Sequence, residues 1–211
     1  MARIYLGVPF SEKDQAKALG ARWDAQRRQW YVFENHDLGL FDRWVFLEPQ
    51  FHVRSSFYYV AETTVACFHK RCGKTTRVYA ALLPTDCEVW QAYNDDGTGW
   101  WIPLECSTFM SNAIDFAPAV VGVLRELAPT YRPDFSKSTK DTYWMNHCEH
   151  CGAKQGDWYL HDEPGGFLAM DLESAARIML HPVREVFEGN GGISQDSGGG
   201  ADLLGHMTVI P

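Results

Sequence analysis

Cys148-Glu149-His150-Cys151-Gly152 sets two thiols three positions apart, with a glycine directly after the second. Cysteines at that spacing on one turn can grip a zinc ion, and the glycine lets the backbone amides fold back toward the sulfurs. One such knuckle supplies two ligands, whereas a closed zinc site takes four. Cys67-Phe68-His69-Lys70-Arg71-Cys72-Gly73 offers a second pair and also ends in Cys-Gly. Cys67 and Cys72 form a C-x4-C pair within the usual range, while His69 and Cys72 form H-x2-C-G, the spacing of the other knuckle. The ligand set is therefore Cys67, Cys72, Cys148 and Cys151, with His69 in place of Cys67 as the alternative. Four thiols predict one structural Zn2+, since a catalytic zinc keeps three protein ligands and an open position. His147 and His150 flank the second knuckle, and as ligands they would crowd the same turn. Buried unliganded thiols and a redox pair are the competing readings, and no thioredoxin-like βαβ pattern surrounds the C-x2-C to favour the latter. Cys87 and Cys106 read as small buried hydrophobes.

A second kind of chemistry is carried by cations interleaved with aromatic rings. Lys13, Lys17, Arg22, Arg27 and Arg28 alternate with Trp23, Trp30 and Tyr31, a pattern that can stack bases and neutralise phosphates. Its alternative is a module with the tryptophans in its core and the charges on a solvated face. Lys70, Arg71 and Lys74, with Arg54 and Arg77, surround the first knuckle. The chain carries a formal charge of -8, which excludes a uniformly basic coat protein but not a local basic face. Residues 1–50 are balanced, residues 51–82 carry a net +4, and the negative charge lies after residue 82. DNA or RNA is thus expected to meet residues 1–82. A protein partner for the acidic C-terminal half is the rival expectation.

These residues must be positioned by a small number of elements. With 211 residues, 45% of them hydrophobic and 14% aromatic, the chain can bury a sizeable core. No apolar run is long enough for a membrane span, and Met1 to Asp14 lacks a secretory signal, so the cytoplasm is the expected compartment. Ile4 to Val8 reads as a strand closed by Pro9. Ser11, with Asp14 in the capping-box position, begins a helix from Asp14 to Leu19 that ends on Gly20. Trp23 and Trp30 flank a polar turn and suggest a hairpin. Ser56 to Val60 and Arg77 to Leu83 read as strands, and Asn94 to Gly99 as a turn that includes Asp95 and Asp96. Ala113 to Leu127 has an apolar face at helical spacing, with Pro118 in its first turn. Arg132 to Thr142 reads as a loop, Trp158-Tyr159-Leu160 as a strand, and His161-Asp162-Glu163 as a loop after it. Asp171 caps a helix from Leu172 to Leu180. The predicted fold class is α+β: a small β-hairpin/helix module over 1–50, a zinc-ribbon-like β-rich domain with an inserted helix over 51–187, and a glycine-rich flexible tail over 188–211.

Tyr5-Leu6-Gly7-Val8-Pro9-Phe10, Glu12-Lys13-Asp14, Ala16-Lys17, Leu19-Gly20-Ala21-Arg22-Trp23-Asp24 and Trp30-Tyr31-Val32 together resemble a short domain of unknown function. That domain occurs in phage, plasmid and bacterial proteins, including conjugative-plasmid primases, and the resemblance covers about residues 3–47. Asn146 to Gly152, then Gln155-Gly156-Asp157 and Leu160, are similar to zinc-knuckle segments of uncharacterised bacterial and phage proteins. The resemblance implies a mobile-element or bacterial setting and carries over no catalytic residue. There is no nucleophile elbow, P-loop or dinucleotide fingerprint. The expected function is a non-enzymatic zinc-binding accessory protein associated with nucleic acid. A protein-binding regulator or inhibitor is its first alternative, and an enzyme whose activity no motif reveals its second.

Overall fold

The computed structural model describes residues 3–85, 87–92, 98–193 and 203–210. In chain order, β1 (Arg3–Leu6) leads through a 3-10 turn at Phe10–Glu12 to α1 (Lys13–Ala18) and the hairpin of β2 (Arg22–Asp24) and β3 (Gln29–Phe33). A 3-10 segment, Leu38–Trp44, precedes β4 (Phe46–Leu47). Then come β5 (Val53–Ser55), β6 (Tyr58–Ala66), β7 (Thr75–Leu83), β8 (Glu88–Ala92), β9 (Thr98–Pro103) and β10 (Thr108–Phe116). Helix α2 (Pro118–Leu127) is followed by β11 (Tyr131–Ser136), β12 (Asp141–His147) and β13 (Lys154–Gln155). Short helices α3 (Asp157–His161) and α4 (Leu172–Ala176) lead to β14 (Met179–Val183) and β15 (Phe187–Ile193). The described chain closes with a 3-10 turn at Leu203–His206 and β16 (Thr208–Val209). This is a mixed α+β chain, mostly strand. It divides into two compact units, Met1–His52 with Glu88–Leu104, and Val53–Cys87 with Glu105–Pro211. The first therefore takes in Glu88–Leu104 beyond the expected 1–50 module.

The first unit holds a three-stranded sheet in the order β1-β3-β2, with Trp23 opposite Trp30 in the hairpin. Asp24 organises its turn: the carboxylate accepts from the backbone N–H of Gln26 and Arg27 at 3.0 Å and from the Tyr5 hydroxyl at 2.9 Å. Ile4, Leu6, Ala16, Val32, Phe41, Trp44 and Trp100 share one core. The helix start differs from the Ser11 cap read in sequence. Phe10–Glu12 turns as a 3-10 helix, no side chain caps α1, and Glu12 instead accepts from Trp44 Nε1 at 2.5 Å.

The second unit is built on an antiparallel run β14-β6-β7-β10-β15-β5, with β16 added parallel on the outer side of β14. β10 changes partner along its length. Thr108 and Phe109 pair with β7, and Met110 to Phe116 pair with β15 around a register shift. Asn112 lies in that bulge at φ 46, and its N–H, lost to the ladder, donates to Asp157 Oδ2 at 2.7 Å. A three-stranded sheet, β11-β12-β13, packs against β10 and β7. One core gathers Ala61, Val78, Leu82, Phe109, Leu160, Phe167 and Leu180. A chain of aromatic contacts, Tyr58–Phe187–Phe116–Trp144–Tyr131, fills another, with neighbouring ring centroids 5.1–5.7 Å apart.

Several sequence expectations change here. The Ala113–Leu127 helix begins only at Pro118, because Ala113 to Phe116 belong to β10. Arg132 to Thr142 is not a loop but most of the β11–β12 hairpin. The helix capped by Asp171, whose capping box does form, ends at Ala176, and Met179 onward is strand. Of the expected tail, Glu188 to Ile193 is strand β15, 194–202 and 211 lie outside the described residues, and Thr208–Val209 is β16. Its glycines fit a close approach: a Cβ on Gly191 would lie 2.7 Å from the Ala113 Cα. Of the Asn94–Gly99 turn, with Asp95 and Asp96, 94–97 also lie outside the described residues.

Candidate metal centre

The two cysteine turns occupy equivalent places at the ends of two hairpins. The β6–β7 ladder closes on Ala66 opposite Thr75, and Cys67 N–H then donates to Lys74 O at 2.9 Å. The β12–β13 ladder closes on His147 opposite Lys154, and Cys148 N–H donates to Ala153 O at 2.8 Å. After the second cysteine of each turn stands a glycine in the left-handed region, Gly73 at φ 62 and Gly152 at φ 71. A side chain there would be strained, so both Cys-Gly pairs follow from the same backbone requirement.

The turns face one another. Cys67 Sγ lies 3.7 Å from Cys151 Sγ, Cys72 Sγ lies 3.9 Å from Cys148 Sγ, and all four sulfurs fall within 4.8 Å of each other. These separations are far beyond a disulfide, whose sulfurs are about 2.05 Å apart. They fit a tetrahedron instead, since metal–sulfur bonds of about 2.3 Å put neighbouring sulfurs about 3.8 Å apart. Backbone N–H groups converge on the sulfurs: His69 on Cys67, Lys74 on Cys72, His150 and Cys151 on Cys148, and Ala153 on Cys151. Burial pushes the Cys148 thiol up, but the His150 and Cys151 amides and the neighbouring thiols outweigh it and bring it down to about 6. At Cys67 burial dominates and raises the thiol. At Cys72 and Cys151 the amides of Lys74 and Ala153 pull downward, and burial with the adjoining thiols reverses them. One thiolate thus forms easily and resists the ionisation of its neighbours until a cation neutralises the group.

Polar side chains around the two turns brace this arrangement. Gln155 is fully buried. Its Oε1 accepts from Phe68 N–H at 2.9 Å, and its Nε2 donates to Ala153 O at 2.7 Å and reaches Cys67 Sγ at 3.6 Å. It therefore ties the first turn to the second. Asn146 does the same for the strands: its Oδ1 accepts from Tyr79 N–H at 2.7 Å, and its Nδ2 donates to Tyr79 O at 2.8 Å. Glu149 N–H donates to Thr76 Oγ1 at 3.0 Å, and its carboxylate pairs with Arg77 at 3.0 Å. The resemblance of Asn146 to Asp157 to zinc-knuckle segments includes Asn146 and Gln155 but assigns them no such role.

The other candidates scatter. His69 is exposed and contributes its amide, not its ring, to the cysteine cluster. His147 is buried and points away from the sulfurs, with ring nitrogens facing Thr130 O at 3.1 Å and Asp134 Oδ2 at 3.0 Å. That contact and Lys154 hold the Asp134 carboxyl well below the usual range. His150 is exposed beside Glu149. Cys87 is buried as expected, but Cys106 is exposed. In the first unit, Lys13 lies over Phe10, Arg22 over Phe33, and Arg27 over Tyr5 while it pairs with Glu88 at 2.6 Å. Lys17 and Arg28 are exposed, and Trp23 is 50% exposed, whereas Tyr31 is buried. Lys70, Arg71 and Lys74 are exposed and make no ion pair among the described residues.

Trp158-Tyr159-Leu160 is helix α3 rather than a strand, and its buried positions are Asp157, Leu160 and His161. Burial pushes the Asp157 carboxyl up to about 7 and the His161 imidazole down to about 4. His161 stacks on Phe109 and Phe167 instead of lying in a loop. An open cleft of about 500 Å³ lies on the β11–β12 hairpin, lined by residues such as Phe135, Ser136, Lys137, Tyr143 and Lys154. Its lining holds two lysines but no carboxylate, histidine or thiol.

Residues 3–45 match the model of a family described as a domain of unknown function (DUF5710). That region is 60% identical, over 42 residues, to a DNA primase TraC of Escherichia coli, an alignment covering 20% of this chain and 4% of the primase. A second DNA primase TraC of Escherichia coli is 52% identical over 42 residues, covering 20% of this chain and 3% of the primase. The chain thus spans a small fraction of the length of these relatives. No solved structure matches it. No helix among the described residues is long and apolar enough to cross a membrane.

Proposed function

We propose that this protein is a non-enzymatic accessory factor that associates with nucleic acid, and that its second unit is stapled by one structural Zn2+ in a zinc-ribbon-like site. The sulfur geometry carries the metal part. Cys67, Cys72, Cys148 and Cys151 present a near-tetrahedral set of edges, with backbone amides aimed at the sulfurs and Gln155 bracing the two turns. Zinc bound there supplies charge neutralisation and a cross-link, and four thiolates leave no position for water or substrate. The nucleic-acid part is supported by the primase-like segment at residues 3–45 and by the net +4 of residues 51–82. The same association suggests a mobile-element or bacterial setting and a cytoplasmic place of work.

Purified protein should contain about one zinc per chain, and Cys148→Ser should lose the metal and precipitate or unfold. Metal-free, well-folded protein would overturn the zinc assignment. Fluorescence anisotropy against DNA and RNA oligomers should show micromolar binding that weakens steeply with salt. Binding indifferent to salt, or none at micromolar protein, would turn the assignment to a protein partner.

A further inference from the structure

Beside the cysteine cluster, the second unit exposes aromatic rings that a folded core would ordinarily absorb. Phe68, in the first turn, is 37% exposed, and Tyr159 and Trp158 of α3 are 59% and 64% exposed. Phe68 and Tyr159 touch, with ring centroids 5.2 Å apart at 58°. Their backbones are held firmly. Phe68 N–H is fixed by the buried Gln155, and α3 is anchored by the buried Asp157, Leu160 and His161. The rings are thus presented rather than merely left over, at little further ordering cost to a ligand.

Their surroundings are basic. Lys70 and Arg71 follow Phe68 on the same turn, Lys74 closes it, and no acidic residue occurs from Thr63 to Thr85. Nearby acids are limited: Glu149 is committed to Arg77, while Asp162 and Glu163 lie beyond the end of α3. Aromatic faces with free cations favour an anionic ligand that also carries planar rings, and duplex DNA hides those rings inside its stack.

We propose that Phe68 and Tyr159, with Lys70, Arg71 and Lys74, form a stacking platform for the unpaired bases of single-stranded nucleic acid. This rests on the nucleic-acid reading above and names the surface and the strandedness. The bases lie against the rings and the three cations follow the phosphates, so sequence matters little and salt matters strongly.

Anisotropy with a labelled oligothymidylate, an abasic strand of equal length and a duplex tests this. The wild type should prefer the oligothymidylate. Phe68→Leu with Tyr159→Leu, which keeps apolar bulk but removes the π faces, should weaken that binding about 5- to 100-fold and leave the abasic strand nearly unchanged. Replacing Lys70, Arg71 and Lys74 with Ser should lower the salt slope by about 2. Unchanged oligothymidylate binding by the Leu variant, or a wild-type preference for duplex, overturns the platform while the nucleic-acid reading stands. No binding of any nucleic acid by the wild type removes both. Photo-crosslinking of wild-type protein to an iodouracil-containing strand gives a readout independent of variant folding. Crosslinks at Phe68 or Tyr159 support the platform, and crosslinks confined to other residues overturn it.

Discussion

Asp157 shows what a single buried group does to a fold that makes no other use of it. Its Oδ2 accepts from the Asn112 N–H, its Oδ1 has no partner, and burial raises its carboxyl to about 7. A carboxyl with a raised folded pKa binds more protons folded than unfolded between about pH 4 and pH 7. Its contribution to stability therefore falls as pH rises through that window and stays lost above it. His161 has the opposite sign. Burial lowers its imidazole to about 4, the unfolded chain binds the extra proton, and stability rises with pH between about 4 and 6.5. The two slopes largely cancel in the wild type. Asp157→Asn keeps an acceptor for Asn112 and removes the buried charge, so it should raise Tm at pH 8, by the equivalent of a few kcal/mol at about 1.4 kcal/mol per pKa unit. At pH 4.5 it should change Tm little. Scanning fluorimetry of variant minus wild type, which cancels the pH dependence of metal binding, checks this, and an equal shift at both pH values would refute it.

At the scale of elements, the two hairpin ends were legible because a C-x2-C-G or C-x4-C-G turn dictates its own backbone, including a left-handed glycine. The N-terminal hairpin was equally plain, since Trp23 and Trp30 flank a turn that Asp24 closes. Elsewhere the local pattern was ambiguous. Helix α3 looks like a strand as Trp158-Tyr159-Leu160, and only the burial of Asp157, Leu160 and His161, at helical spacing, reveals it. The polar stretch from Arg132 to Thr142 reads as a loop, yet it forms most of a hairpin whose β11 is an edge strand, where Pro133 removes no ladder bond the sheet needs. Ile114, exposed on β10, looked like the first apolar position of α2. Asn146 and Gln155 fall in the segment that resembles a zinc knuckle, but their contacts are not legible there, because any Asn or Gln looks alike until its partners are known. Asn146 stands in for a strand between β12 and β7, pairing with both polar groups of the Tyr79 backbone. Asn146→Leu leaves both buried groups unpaired and should cost about 2–5 kcal/mol. Because it lets the knuckles drift apart, it should also weaken zinc binding in a competition titration with a chromophoric chelator. Full zinc affinity at a lowered Tm would show that the strands are aligned by other contacts.

For the whole molecule, the metal would close a chain loop that the β6–β14 ladder and the shared core of the second unit also close. Cys72 and Cys148 are 76 residues apart, and that stretch holds Glu88–Leu104, which packs with the first unit. Structural zinc contributes on the order of 10 kcal/mol in small zinc domains, comparable to the whole stability of an ordinary domain. Its removal should therefore unfold the second unit. The first unit holds no member of the cysteine cluster and has its own core around Phe41, Trp44 and Trp100. The chain carries a built-in reporter for this difference. Of its 8 tryptophans, Trp144 and Trp158 belong to the second unit, and the rest belong to the first. Excess chelator should remove most of the strand signal in far-UV circular dichroism, because most of the strands belong to the second unit. It should leave most of the tryptophan fluorescence transition in place, and a Trp144→Phe, Trp158→Phe double variant should make that fluorescence wholly insensitive to chelation. A single chelator-independent transition in both signals would mean that the sulfur cluster supplies no fold stability, whatever ion it holds.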